Sequence, residues 1–318
     1  MTAPEPFLDP TRPPAGRVLL AFMIIYVVWG STYLVIKWAV ETLPPFLMGG
    51  ARFMAAGLIL YGWARLRGIA RPSLEHWKAA TIIGASLLLG GNGCVAWAAS
   101  RLPSGVSSLL VATTPFWIVG FEWMRRGGVR PALQVLVGLA IGFVGLALLV
   151  DPAQMSGGGG VDPLGAVVVL LGTLFWAAGS IYSRSAPLPS SWVLAGGMQQ
   201  LAGGALLLLA ALVSGEVASF DVSAVSQRSA LSFLYLVVIG SFVAFTAYIW
   251  LLKASTPARV ATYAYVNPVV AVFLGWALGG ERPTPRMGLA AAVIVLAVVV
   301  ITTGRVRVPA REPAGKPS

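Results

Sequence analysis

The sequence predicts an all-α integral membrane protein of ten transmembrane helices, arranged as two inverted five-helix repeats with both termini cytoplasmic. Three observations carry this. The 318 residues are 57% apolar and only 10% charged, with mean hydropathy +0.83, whereas an average soluble domain has roughly 25% charged residues. Apolar windows of spanning length recur along the whole chain and leave no hydrophilic stretch long enough for a soluble domain. Lys and Arg punctuate those windows with a strong bias to one side.

Windows bounded by charge, Pro or Gly clusters predict helices over 18–38, 46–64, 78–99, 104–124, 132–150, 163–183, 191–213, 229–252, 257–278 and 286–303. Arg12 and Arg17 precede the first window much as in a signal peptide. No small-residue cleavage site follows, and the apolar run continues through Trp29 to Val40, so this reads as an uncleaved first span. Between the fifth and sixth windows, Asp151-Pro152 leads through Gly157-Gly158-Gly159-Gly160 to Asp162-Pro163, a flexible composition that marks the seam between halves. The chain thus divides into a cytoplasmic tail (1–17), a first repeat (18–150), a periplasmic glycine-rich loop (151–162), a second repeat (163–303) and a second cytoplasmic tail (304–318).

Charge tests the topology. With an even number of spans, the tails and the even-to-odd loops share one side, and 16 of the 22 Lys and Arg fall there; five fall opposite, and Arg52 lies inside a span. The positive-inside rule places the richer side in the cytoplasm of a bacterial inner membrane. This also accounts for the net charge of +11, since the basic residues form no cluster of the kind that nucleic-acid binding requires.

The halves resemble each other. At an offset of 153, Trp97 falls on Trp250, Pro115 on Pro268, Trp123 on Trp276 and Gly127 on Gly280; at 147, Trp29 falls on Trp176 and Gly57 on Gly204. Five spans is an odd number, so the second copy enters from the opposite side and the repeat is inverted. Leu133 to Val150 carries Gln134 as its one polar side chain, with Gly138, Gly142 and Gly145, and Met287 to Ile301 carries none. Such helices suit the periphery, with glycines permitting close contact, and leave the other eight to line a cavity.

Candidate chemistry is sparse. Cys94 and His76 are the single cysteine and histidine, too few for an ordinary zinc or haem site, so no metal or cofactor is expected. There is no Walker A sequence, no His-Glu-x-x-His, no Gly-x-Ser-x-Gly and no carboxylate pair within a span, which argues against ATP-driven transport and intramembrane hydrolysis. Arg52 is the basic residue well inside a span. Two readings stand: it snorkels to the periplasmic interface or caps loop carbonyls, or its guanidinium holds a substrate carboxylate or pairs with Gln199, its counterpart at offset 147. Trp29, Tyr33, Trp97, Trp176, Tyr248, Tyr263 and Tyr265 are either interfacial and packing aromatics or the walls of a mostly apolar pocket. Asn92, set among Gly90, Gly91 and Gly93, needs a partner at mid-span depth. Asn267 joins the candidates beside Pro268. Pro115 and Pro268 each free a carbonyl four residues earlier and act as structural kinks or as matched hinges.

Trp29-Gly30-Ser31-Thr32-Tyr33, Pro44-Pro45, Ala51-Arg52-Phe53 with Gly57, Gly91-Asn92-Gly93, Pro103-Ser104-Gly105 and Thr114-Pro115 resemble the first half of the EamA family of the drug/metabolite transporter superfamily. Ala261-Thr262-Tyr263-Ala264-Tyr265-Val266-Asn267-Pro268, followed by Gly279-Gly280-Glu281, resembles its second half, and the detail is closest to the YedA-like branch. The resemblance covers about residues 18–303. It implies a ten-helix inverted-repeat fold and export of small metabolites. It departs at Gly128, where the family has a Glu in the first half, and no role is carried to Glu122. The expected function is a secondary transporter exporting small amphiphilic metabolites, amino acids or their derivatives or drugs, by alternating access. Its expected partners are a small-molecule substrate and the lipid bilayer, without nucleic acid, and a homodimer is compatible with the sequence. The rival is a membrane-embedded enzyme or lipid-modifying protein, for which no catalytic cluster is found.

Overall fold

The computed structural model describes residues 13–98, 101–102, 107, 110–125, 128, 130–149, 162–279 and 285–303, and every regular element among them is helical. Residues 1–12 and 304–318, the glycine-rich loop at 151–161, Pro103-Ser104-Gly105, Gly127, Gly280 and Glu281 lie outside the described residues, as does the Tyr33 side chain. The longer segments are α1 (Ala15–Ala39), α2 (Pro45–Leu66), α3 (Leu74–Ala98), α4 (Thr114–Met124), α5 (Leu133–Leu149), α6 (Pro163–Ser185), α7 (Trp192–Val213), α8 (Gln227–Ala254), α9 in two pieces (Pro257–Ala261 and Tyr263–Gly279) and α10 (Pro285–Thr303). Six of them, α1, α2, α3, α6, α7 and α8, are long and apolar enough to cross a membrane, and α5 and α10 contain shorter apolar stretches. Lipid cannot satisfy backbone polar groups, so a spanning chain either pairs them along a helix or closes them into a barrel.

Local signals set the helix starts. Ser73 caps α3 in a reciprocal box with His76; Asp162, Ser191, Ser226 and Thr256 cap α6, α7, α8 and the first piece of α9. Each side-chain oxygen accepts one of the N–H groups that the first turn leaves without a helical partner. The start of α2 is served from the other half: the Leu47 N–H donates to Glu216 Oε2 at 2.8 Å, an acidic group at the positive end of the helix dipole. The same end of the bundle holds Ser229 Oγ, which donates to the Trp38 carbonyl at 2.8 Å, and the Arg228–Glu41 pair at 3.5 Å. At the far end, Arg184 Nη1 donates to the carbonyls of Leu252 and Ser255, tying the end of α6 to the end of α8.

Two pairs of corresponding helices meet along glycine seams. On α2 and α7, a Cβ at Gly57 would stand 2.8 Å from the Leu201 nitrogen, one at Gly204 would stand 2.8 Å from the Met54 nitrogen, and one at Gly50 would stand 2.8 Å from the Leu208 nitrogen. Numbers rise on one helix as they fall on the other, so α2 and α7 are antiparallel with their backbones in contact. On α5 and α10, Gly138 abuts Ile301 and Gly145 abuts Ile294, again antiparallel. Counterparts running in opposite senses are what an inverted repeat requires.

Composition does not announce one feature. At mid-length both α3 and α8, the third helices of their halves, widen from α to π winding, over Ala85–Gly93 and Leu236–Phe245. π segments are rare, are mostly single-turn bulges, and concentrate at functional sites. Here each runs about two turns.

Candidate functional site

The main core joins α1, α2, α3, α7, α8 and α9 through Ile25, Phe53, Leu87, Leu207, Phe245, Tyr248 and Tyr263, and Trp29 and Trp176 pack against it. Within it, four of the aromatic candidates form one cluster. Trp29 of α1 lies 5.6 Å from Trp176 of α6, 4.9 Å from Tyr248 of α8 and 5.0 Å from Tyr263 of α9, centroid to centroid. Trp176 is 5.5 Å from Tyr248, and Tyr248 is 5.7 Å from Tyr263. All five contacts are edge-on or tilted, and edge-on or offset ring pairs add about 0.5–1.5 kcal/mol each beyond their area burial.

Donor arithmetic fixes the polar wiring. Indole Nε1–H only donates, so Trp176 donates to Tyr248 Oη at 2.9 Å. Ser180 Oγ donates to the Trp176 carbonyl at 2.6 Å, so the 2.6 Å contact between Ser180 and Tyr248 uses the tyrosine's proton. The result is a closed relay from α6 to α8 and back. Trp29 Nε1 donates at 3.4 Å to the carbonyl of Gly240, inside the π segment of α8.

Close approach of α3 to α6 depends on its glycines. A Cβ at Gly90 would lie 2.8 Å from Phe175, and one at Gly91 would lie 2.7 Å from Trp176 Cε3. Asn92 follows at the end of that π segment and accepts at Oδ1 from Arg52 Nη2, 3.3 Å away. The structure thus brings together Arg52 and Asn92, which the sequence proposed separately. It does not join Arg52 to Gln199. Gln199 is fully buried, its amide has no hydrogen-bond partner, and neither has that of its buried neighbour Gln200. The offset of 147 matches sequence positions, whereas the backbone at Gln199 faces α3, where a Cβ at Gly84 would stand 2.6 Å from its carbonyl oxygen.

The remaining candidates lie elsewhere. Tyr265 points away from the aromatic cluster, its hydroxyl donating to the Leu139 carbonyl at 3.2 Å and its ring against Gly142 of α5. Residues two apart on a helix face opposite sides, so Tyr263 and Tyr265 cannot serve one pocket. Asn267 is turned to the backbone: with its amide oriented to satisfy both groups, its nitrogen donates to the carbonyls of Tyr26 at 3.2 Å and Tyr263 at 3.0 Å, which clasps α1 to α9 beside Gly30. Trp97 lines an apolar groove of about 470 Å³ between α3 and α6, with Phe46, Gly93, Cys94 and Phe175, and carries the Arg101 guanidinium 4.1 Å over its ring.

The two prolines differ. Pro115 sits in the first turn of α4, where a missing N–H is harmless, and the Val111 carbonyl before it accepts from Thr114 Oγ1 at 2.6 Å. Pro268 lies inside the second piece of α9, downstream of the break at Thr262. Sequence reasoning passed over Phe53, Ser180 and Gln200. A helix pattern that is apolar on all sides hides which residues turn inward, although Ser180, four residues after Trp176, shares its helix face.

Residues 16–151 and 163–303 both match the EamA-like transporter family. The inner membrane transporter YedA of Escherichia coli (strain K12), itself uncharacterised, is 40% identical over 293 residues, spanning 92% of this chain and 92% of that protein. A probable amino-acid metabolite efflux pump of Salmonella typhimurium (strain LT2) is 25% identical over 300 residues, 90% of this chain and 94% of the relative. A protein of known crystal structure, 20% identical, superposes with a TM-score of 0.72 over 91% of this chain and 98% of its own, which supports the fold alone.

Proposed function

The chain belongs to the EamA-like transporter family, and from that premise we propose that it is a secondary carrier exporting small amphiphilic metabolites, amino acids or their derivatives, by alternating access. The observation that carries the reading is the buried centre assembled from both halves: Trp29, Arg52 and Asn92 from the first, Trp176, Tyr248 and Tyr263 from the second. A mostly apolar pocket with a few polar contacts is the usual form of a small-molecule site. The relatives' names favour a carrier over a membrane enzyme.

The proposed topology has ten spans with both termini cytoplasmic in a bacterial inner membrane. The 16-to-five split of basic residues supports it. Reporter fusions at Gly158 and Val217 should read periplasmic, and fusions at Gly127 and after Arg305 cytoplasmic; a cytoplasmic reading at Gly158 would remove the inverted repeat. Transport is proposed to run downhill or by exchange. Proton-coupled carriers generally alternate the protonation of an intramembrane carboxylate or histidine, and among the described residues the α4 carboxylate, Glu122, is paired with Arg125 at 3.1 Å in the last turn.

Flux of a metabolite mixture into proteoliposomes containing the purified chain tests the function directly. Saturable uptake with counterflow supports a carrier. Chemical conversion of a component without movement would favour the enzyme, and accumulation driven by a pH gradient alone would overturn the uncoupled mechanism.

A further inference from the structure

We propose that Arg52 and Asn92 form a binding site for the carboxylate of an organic monocarboxylate whose apolar or aromatic body lies toward Phe53 and Phe245. The proposal deepens the carrier reading and rests on it for the route by which the ligand arrives. Arg52 is 5% exposed, and its guanidinium cannot shed its charge. A cation buried without a partner is strongly disfavoured, because the attraction that would offset its lost hydration is missing. Yet Nε and Nη1, which carry three of the five N–H donors, have no hydrogen-bond partner, and Nη2 has the single 3.3 Å contact to Asn92. The ion pairs of Arg101, Arg125 and Arg228 with Asp162, Glu122 and Glu41 do not involve Arg52.

Two comparisons sharpen the point. A snorkelling arginine would carry its nitrogens to the surface, whereas these are sealed from it. Arg184, also without a hydrogen-bonded carboxylate partner among the described residues, is satisfied by the backbone carbonyls of Leu252 and Ser255. This fold therefore has a way to quiet a structural arginine and does not apply it to Arg52.

The geometry selects the ligand. Phe53 covers one face of the guanidinium, 4.2 Å from Cζ to the ring centroid, so an anion approaches in the guanidinium plane, where a carboxylate can take two parallel N–H bonds. One unit of negative charge neutralises the site; a phosphate dianion would leave a net charge in a low-dielectric interior. Asn92 accepts through Oδ1, which leaves the two Nδ2 hydrogens as further donors. Phe53 lies 6.4 Å from Phe245, and Phe245 shares the core with Tyr248 and the packed Trp29 and Trp176, so apolar surface begins next to the charge.

The test uses the purified full-length chain and three acid–amide pairs: phenylacetate and phenylacetamide, hydrocinnamate and hydrocinnamamide, phenylalanine and phenylalaninamide. At least one acid should raise the melting temperature saturably, with its amide weaker by about ten- to hundredfold. Arg52→Gln should erase that preference and Arg52→Lys retain part of it. Asn92→Asp supplies a carboxylate in cis; it should raise the melting temperature of the ligand-free protein and weaken the acid at least about tenfold. Equal affinity for acid and amide, no saturable shift with any acid, or an acid preference surviving in Arg52→Gln would overturn the site. Flux of the same compounds separates the two readings. Equal transport of acid and amide with Arg52→Gln unimpaired leaves the carrier standing without the carboxylate site, and Arg52-dependent binding without any flux leaves the site standing without the carrier.

Discussion

α3 and α8 occupy the same place in their halves and share the same departure, a π segment at mid-length, yet they are furnished differently. The segment in α3 holds Gly90 and Gly91 pressed against α6 and Asn92 bonded to Arg52 of α2, and the one in α8 is bulky, with Phe245 in the core and Tyr248 one α-turn beyond it. The first half contributes the cation and amide, whereas the hydroxyl relay through Trp176, Ser180 and Tyr248 belongs wholly to the second. The pair teaches that the repeat preserved the backbone and let the chemistry diverge. A carrier needs two matched moving halves and one ligand, and a ligand with unlike ends is best met by unlike walls.

If the shared part is the backbone, the α2–α7 seam should be symmetric. Gly57→Val and Gly204→Val each push a side chain into the other helix's backbone nitrogen, and both should cost about 3 kcal/mol or prevent folding. Thermal unfolding in detergent checks this, and a large difference between the two would break the symmetry. The π segments should differ. Gly91→Ala meets Trp176 at 2.7 Å, and Gly240→Ala meets Thr32 at 3.5 Å and Leu236 at 3.7 Å, both ordinary contacts. The first should lose about 1–3 kcal/mol of stability and most flux, and the second should be near neutral, with equal losses showing that π winding itself rather than the α3–α6 contact is what matters. Tyr248→Phe strands the Trp176 N–H in a buried site and should cost about 1–3 kcal/mol, whereas Ser180→Ala removes a group that is itself a bridge and should cost less. At the periphery the effect should be confined to stability: Tyr265→Phe should lose about 1 kcal/mol through its bond to Leu139 and leave flux unchanged.

Much of the helical layout was legible. Residues 191–213 were expected and Trp192–Val213 is found; 163–183 were expected and α6 extends to Ser185. Over 104–124, where one helix interrupted at Pro115 is expected, residues 110–111 are helical, Ala112 and Thr113 form a turn and α4 runs from Thr114 to Met124, so the described chain breaks beside Pro115. Trp29, Trp176, Tyr248 and Tyr263 were named from chemistry and depth, and they meet. What could not be read was rotation. A helix apolar on every side has no polar stripe to say which face is inward, so Tyr263 and Tyr265 were grouped although their spacing on one helix separates them. Gln199 was matched to Arg52 through a sequence offset that changes from 147 to 153 between helices, while the actual partner, Asn92, comes from the same half. The π segments left no mark because a wider helix needs no special residue type.

The glycine seam between α2 and α7 also bears on how the chain is made. The notched face of α2 at Gly50 and Gly57 is filled by Leu208 and Leu201 of α7, which follow about 150 residues later in the chain. At a synthesis rate of about 5–20 residues per second, α2 waits on the order of ten seconds or more in the bilayer with exposed grooves where its partner belongs. The first half is therefore unfinished rather than merely early. A truncated product ending at the seam loop would present lipid with a surface shaped for a helix, and the stability of the first repeat belongs to a chain that has already completed its seventh.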